Sequence, residues 1–157
     1  MVELSMFIDR LPLRALAGLC VCSALVGCAA TLPTMQSTTP VAAGALSNYA
    51  VPSAGSATVH ILRDGAFSGG AVDYDVYVDD KLVGSIAVEQ RMTLYLPPGE
   101  HAIMIRNPLP VALTGAPAST VQMFSADTAY FFRFSAGSGG GSTLQRVTAA
   151  SVGAAAP

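Results

Sequence analysis

Between Val72 and Val78 the chain alternates without a slip. Val72, Tyr74, Val76 and Val78 fall on one side, and Asp73, Asp75 and Tyr77 on the other. Side chains two apart share a face in an extended strand, so this stretch buries its aliphatic side and wets its acidic side as a half-buried strand. The same period recurs along the chain. Val59 and Ile61 align in Thr58–Arg63; Leu82, Ile86 and Val88 in Lys81–Val88; Met92, Leu94 and Leu96 in Arg91–Leu96; Ile103 and Ile105 in His101–Arg106. Thr120–Phe124 and Leu144–Thr148 are shorter candidates, and in Ala129–Phe134 the set Tyr130, Phe132, Phe134 opposes Phe131 and Arg133.

Turn chemistry separates these runs. Arg63-Asp64-Gly65, Asp79-Asp80, Pro97-Pro98-Gly99-Glu100, Ala126-Asp127-Thr128 and Gly137–Gly141 each supply residues that tolerate tight turns. Gly84 interrupts an apolar face, which predicts a bulge or the close approach of another segment. Asn107 to Ser119 carries Pro108, Pro110, Gly115 and Pro117 and reads as a long loop. No segment after residue 57 shows a helical period. The prediction is an all-β fold, an antiparallel two-sheet sandwich of seven to eight short strands, because two packed sheets bury one face of every strand without helices.

Upstream the chain is different. Glu3, Asp9, Arg10 and Arg14 precede an uncharged run from Ala15 to Gly27, the length of a signal-peptide core and short of the roughly 20 residues a spanning helix needs. If Met6 is the start, the charged leader is net positive. The run ends in Leu25-Val26-Gly27-Cys28, which resembles the bacterial lipoprotein signal at all four positions. That resemblance implies a diacylglycerol on the Cys28 thiol, cleavage before it and acylation of the new N-terminus. An ordinary secretory signal cut near Ala29-Ala30 and a retained N-terminal helix are the alternatives. Ala29 stands where lipoproteins of this kind carry Asp when retained at the inner membrane, so the resemblance implies the outer membrane, facing the periplasm.

The expected organisation is a signal over 1–27, a lipidated Cys28 with a flexible Ala/Ser/Thr/Pro linker over 28–56, a sandwich over 57–150 and a disordered tail over 151–157; the alternative for the linker is that Val41 to Tyr49 packs on the domain through Leu46 and Tyr49. Cleavage leaves 157 − 27 = 130 residues, enough for one domain. Only 11% of residues are charged, against about 25% in typical domains. The six basic residues after the signal (Arg63, Lys81, Arg91, Arg106, Arg133 and Arg146) are scattered, which excludes a nucleic-acid partner, since that needs clustered cations. The lipoprotein resemblance implies that Cys20 and Cys22 leave with the signal and that Cys28 is acylated, which would leave no thiol for a disulfide or a metal.

Candidate chemistry is sparse. His60 and His101 lack metal-ligand spacing and read as structural. Asp73, Asp75 and Asp79 share a strand face, with Asp80 nearby, a pattern that suits a solvated face or a calcium site. The chain has no Gly-x-Ser-x-Gly elbow, and Gly137–Gly141 lacks the Lys-Ser/Thr that follows a phosphate loop. Phe131 points away from its aromatic neighbours and needs a cover from the linker or a partner.

The order Val76-Tyr77-Val78-Asp79-Asp80-Lys81-Leu82-Val83-Gly84, then Leu96-Pro97-Pro98-Gly99-Glu100-His101, then Tyr130-Phe131 resembles the β-sandwich of bacterial lipoproteins described as DUF2846, and also PEGA-type repeats. The resemblance covers roughly residues 57–148 and departs at Asp80, where the family turn carries Gly. It implies a fold and a location and no reaction. The expectation is therefore a membrane-anchored, non-catalytic periplasmic module without a cofactor, held by lipidated Cys28. Its partner is an envelope protein or cell-wall material, met through loops 65–70, 107–119 and 136–142 or through a strand edge. The alternative is a small-ligand or calcium-binding lipoprotein using the acidic row.

Overall fold

The structure is a computed structural model that describes residues 32–65, 72–137 and 141–154. The signal and Cys28 lie outside the described residues. Among the described residues nine strands form two sheets: β1 (Thr39–Pro40), β2 (Ala57–Arg63), β3 (Tyr74–Val78), β4 (Lys81–Ile86), β5 (Gln90–Leu96), β6 (Gly99–Arg106), β7 (Ala118–Phe124), β8 (Ala129–Ala136) and β9 (Ser142–Val147). One sheet has the order β1-β5-β2-β8-β9 and the other β4-β3-β6-β7. The predicted two-sheet sandwich is what the chain forms. Most strand pairs are antiparallel, but β2 pairs with β8, and β1 with β5, in parallel.

The alternating residues meet between the sheets. Val59, Ile61, Val76, Val78, Met92, Leu94, Leu96, Ile103, Ile105, Phe132 and Phe134 are buried, each from the face its period assigns. The β3–β4 hairpin turns through Asp79 and Asp80 at φ 48° and 62°. Two positive φ values in a two-residue loop are those of a type I′ turn, so Asp80 replaces Gly without changing the hairpin. The face expected for β4 is different. The β3–β4 register shifts between Val76 and Tyr77, so Val83 and Ile86 point inward while Leu82 is 47% exposed. Gly84 sits at this bulge, and a Cβ there would lie 2.8 Å from Leu46 Cδ2 and 3.3 Å from Ala45 O.

Leu46 belongs to the stretch expected to be a free linker, and its described part, residues 32–56, is packed instead. Val41, Leu46 and Tyr49 rest on the core. The backbone bonds the edges of both sheets: Val41 N–H to Arg91 O, Ser47 N–H to Val83 O, and Tyr95 N–H to Tyr49 O. This strap laces β5 to β4 and closes one flank of the sandwich. Apolar side chains are few in it, so backbone hydrogen bonds to open edges do much of the docking.

The tail is also corrected in part. Ala150–Val152 forms a 3-10 turn, and Val152 is buried against Leu62 and Phe131 with Met35 of the strap beside them. Met35 N–H donates to Val152 O at 2.8 Å. Strap and tail together cover Phe131, the aromatic that alternation left outside the core. Residues 155–157 lie outside the described residues.

Candidate functional site

The strand registers gather the connections at two ends. Arg63 pairs with Phe134, Leu62 with Arg91, Asp75 with Arg106, Ile105 with Ala118 and Ala136 with Ser142. The β2–β3, β4–β5, β6–β7 and β8–β9 connections therefore share one end, called the loop end here. The three loops expected to bind all lie there. Of two of them, residues 66–70 and 138–140 lie outside the described residues. The third is structured: Val111–Thr114 makes one helical turn, and β7 already begins at Ala118.

The loop end is fastened by a buried cation. Arg63 continues the inward row Ala57, Val59, Ile61 and is 1% exposed. Its Nη1 donates to Val72 O and to Ile86 O, both at 2.8 Å, bridging the sheets. The guanidinium lies 4.7 Å from the centroid of the Tyr74 ring. Burial lowers its pKa, while Tyr74, Asp73 and Asp64 support the charge. Asp64 is itself buried and meets Arg133 Nη2 at 3.4 Å. Spacing alone, two residues after Ile61, could have placed Arg63 inside.

The opposite end carries the His101 cluster. His101 Nδ1 lies 2.6 Å from Asp79 Oδ2, and Nε2 3.0 Å from Pro97 O. Asp79 Oδ1 also accepts the Ala102 N–H. The His101 bond foremost holds the Asp79 carboxyl below the usual carboxylate range; burial, second, opposes it, and the Ala102 amide adds to the lowering. Two turns are thereby stapled together. His60 bonds Thr93 Oγ1 and stacks on Phe131 with ring centroids 5.0 Å apart. Burial and, second, the charge of Arg91 lower its pKa.

The acidic row does not converge. Asp79 is committed to His101, and Asp75 accepts from Ser85 Oγ at 2.9 Å. Among the described residues no three His, Cys, Asp or Glu side chains gather to hold a metal.

The flank opposite the strap is where the surface is unguarded. β7 ends its sheet, and among the described residues its strand partner is β6. Asp79 N–H donates to Ala102 O, so the backbone of Ala102 faces β3, and its β7 partner Val121 turns its own N–H and C=O outward. By the same alternation Ser119 and Met123 do so too, and the Gln122 amide covers Met123 O at 3.1 Å. No residue from Ala118 to Phe124 is charged or proline. Val121 and Met123 are 64% and 58% exposed. Natural edge strands are normally blunted by charge, proline or a covering segment. The strap covers the β4 and β5 edges; beside β7 stands β9 of the other sheet, whose Arg146 Nη1 donates to Gln122 Oε1 at 3.5 Å, so among the described residues a side-chain bond, and no paired strand, flanks the outer edge of β7.

Three comparisons bear on this arrangement. The family model described as a protein of unknown function, DUF2846, matches residues 53–146. No curated protein matches the chain. Among solved structures, the N-terminal domain of AlgF from P. aeruginosa is similar at 19% identity and a TM-score of 0.35, over 62% of this chain and 100% of that one.

Proposed function

We propose that this chain, which belongs to the DUF2846 family, is a lipid-anchored, non-catalytic binding module of the bacterial envelope. Leu25-Val26-Gly27-Cys28 supplies the anchor in this reading, and Ala29 directs it to the outer membrane on the periplasmic side. One observation supports the binding role above others: the uncharged β7 edge, with outward backbone groups at Ser119, Val121 and Met123 beside exposed apolar side chains. Such an edge accepts an extended segment of a partner as an added strand, with main-chain bonds for affinity and side-chain contacts for selectivity. An envelope protein with an uncharged extended segment is the partner this chemistry fits.

The test is photocrosslinking in intact cells from a reactive residue at position 121, beside one at position 85 on the strap side and a Cys28→Ser control. One dominant adduct from position 121, lost in the control and in Met123→Lys, is expected. Equal labelling from both positions, or none above background, refutes the edge as the binding element. Mass analysis of the residue 28 peptide checks the anchor separately, and an unmodified thiol refutes it.

A further inference from the structure

We infer that the β6–β7 loop docks into the same lipid surface that holds Cys28, so that the domain meets the membrane at two points. The inference rests on the anchor reading above and adds a second contact to it.

The loop is built for an apolar medium. From Asn107 through Ala126 no residue is charged. Leu109, Val111 and Leu113 are 50%, 59% and 77% exposed, an exposure of large aliphatic side chains within five residues that water does not favour. The loop also satisfies much of its own backbone. Leu109 N–H donates to Asn107 Oδ1, Leu113 N–H to Pro110 O and Gly115 N–H to Val111 O, at 3.0, 2.9 and 2.9 Å. Thr114 Oγ1 donates to Pro110 O, and Pro108, Pro110 and Pro117 have no N–H to satisfy. A segment that enters lipid must limit its stranded donors, and these three paired N–H groups and three prolines reduce them here.

Chain length selects lipid as the occupant. The strap begins at the loop end: Leu32, itself 55% exposed, lines a cleft with Thr34, Gly65 and Glu89, the last two flanking β2 and β5. Three residues, and so four Cα–Cα steps, separate Leu32 from Cys28. Fully extended they reach at most about 14 Å. An acylated Cys28 therefore holds the end of the sandwich that bears Leu109, Val111 and Leu113 close to the acyl chains. The loop has no cation for anionic headgroups, so its contact is apolar and insensitive to ionic strength.

The chain contains no tryptophan, so one can be placed as the sole reporter. The full lipidated chain is reconstituted into phosphatidylethanolamine–phosphatidylglycerol vesicles with brominated acyl chains. Leu113→Trp is compared with Leu82→Trp, an exposed site beside the turn at the opposite end. Blue-shifted emission and several-fold stronger bromine quenching for Leu113→Trp, unchanged in high salt and weakened by adding Leu109→Ser and Val111→Ser, are expected. Equal quenching at both sites overturns the inference. So does a blue shift without bromine quenching, which signifies a protein cover or a second copy on the loop. The mass of the residue 28 peptide is read on the same sample. If Cys28 is unmodified, the anchor reading fails by itself, and the loop is judged by the same quenching contrast with vesicles added from outside.

Discussion

Replacing Arg63 by Met tests whether the buried guanidinium closes the sandwich. Met fills much of the same volume, so the change removes donors more than packing. Two carbonyls, Val72 O and Ile86 O, lose bonds of 2.8 Å. A buried acceptor left without its donor costs about 1–3 kcal/mol. The Ile86 bond is fully buried and the Val72 bond partly so, which places the first at the upper part of that range and the second at the lower. Removing a desolvated cation returns some free energy, because ionic groups gain less inside a protein than their geometry suggests. A net loss of about 3 kcal/mol is expected, a large part of the roughly 5–15 kcal/mol that holds a domain together. With a urea slope of about 1–3 kcal/mol per molar, the far-UV circular dichroism midpoint falls by about 1–3 M at unchanged slope. Arg63→Lys keeps the charge but loses the planar fork that reaches both carbonyls, and it falls between the two. A Met variant within about 0.5 kcal/mol of the parent, the range of ordinary surface changes, refutes the bridging role. A Lys variant no better than Met refutes the part given to the charge.

Three further outcomes follow from the packing and the charges. Gly84→Ala forces Leu46 and the Ala45 carbonyl off the bulge, costs about 1–3 kcal/mol, and exposes the strap between residues 42 and 49 to limited proteolysis; unchanged cleavage there refutes the close approach. Phe131→Ala opens the small core shared by Leu62, Val152 and Met35 and costs about 3–5 kcal/mol; hydrogen exchange at the Met35 amide rises with it, and an unprotected Met35 amide in the parent refutes the cover. Stability depends on pH with one sign for two groups. His60 has a lowered pKa, so its share is present above the ordinary 6.5 and is lost as pH falls through the lower folded value. Asp79 is also lowered, so its share is present above 3.8 and is lost below it as the His101 bond breaks. His60→Phe flattens the first step of a pH-dependent melting curve and Asp79→Asn the second; a curve with neither step refutes both assignments.

The sandwich was legible because one face of each strand is dry. Where burial falls on one side, as in Val72–Val78 or Met92–Leu96, the period-2 pattern is the fold written in sequence. The bulge broke that rule in β4, where Val83 and not Leu82 turns inward, and Gly84 was its only mark. The strap was not legible for a different reason. Its Ala, Ser, Thr and Pro residues have no period, and it docks by main-chain bonds to Arg91, Val83 and Tyr95, which side-chain composition does not record. Leu46 and Tyr49 were the clues to its middle, and both pack on the core; Phe131 was the clue to its start, since an aromatic with no core to enter requires a cover. The candidate surface was half visible: loop 107–119 was marked by its prolines, but the free edge of β7 depends on strand order, which alternation does not encode.

If Cys28 is acylated as proposed, the strap changes what the anchor would do. A free linker of 28 residues would let the domain roam about 30 Å from its lipid. A packed strap leaves only the three residues between Cys28 and Leu32 to span that gap, and the loop end would then meet the membrane at high local concentration. Inserting a dozen Gly/Ser residues after Ala30 separates these effects. It lengthens the link from four Cα–Cα steps to about sixteen, and local concentration falls roughly as the −3/2 power of length, about eightfold. Bromine quenching of Leu113→Trp then drops, while the urea midpoint stays put, because the strap's own contacts begin at Thr34 and Met35 beyond the insertion. A fall in the midpoint refutes the idea that the link carries no folding energy. Unchanged quenching refutes proximity as the cause of docking and leaves Leu109, Val111 and Leu113 to hold the lipid by their own apolar area.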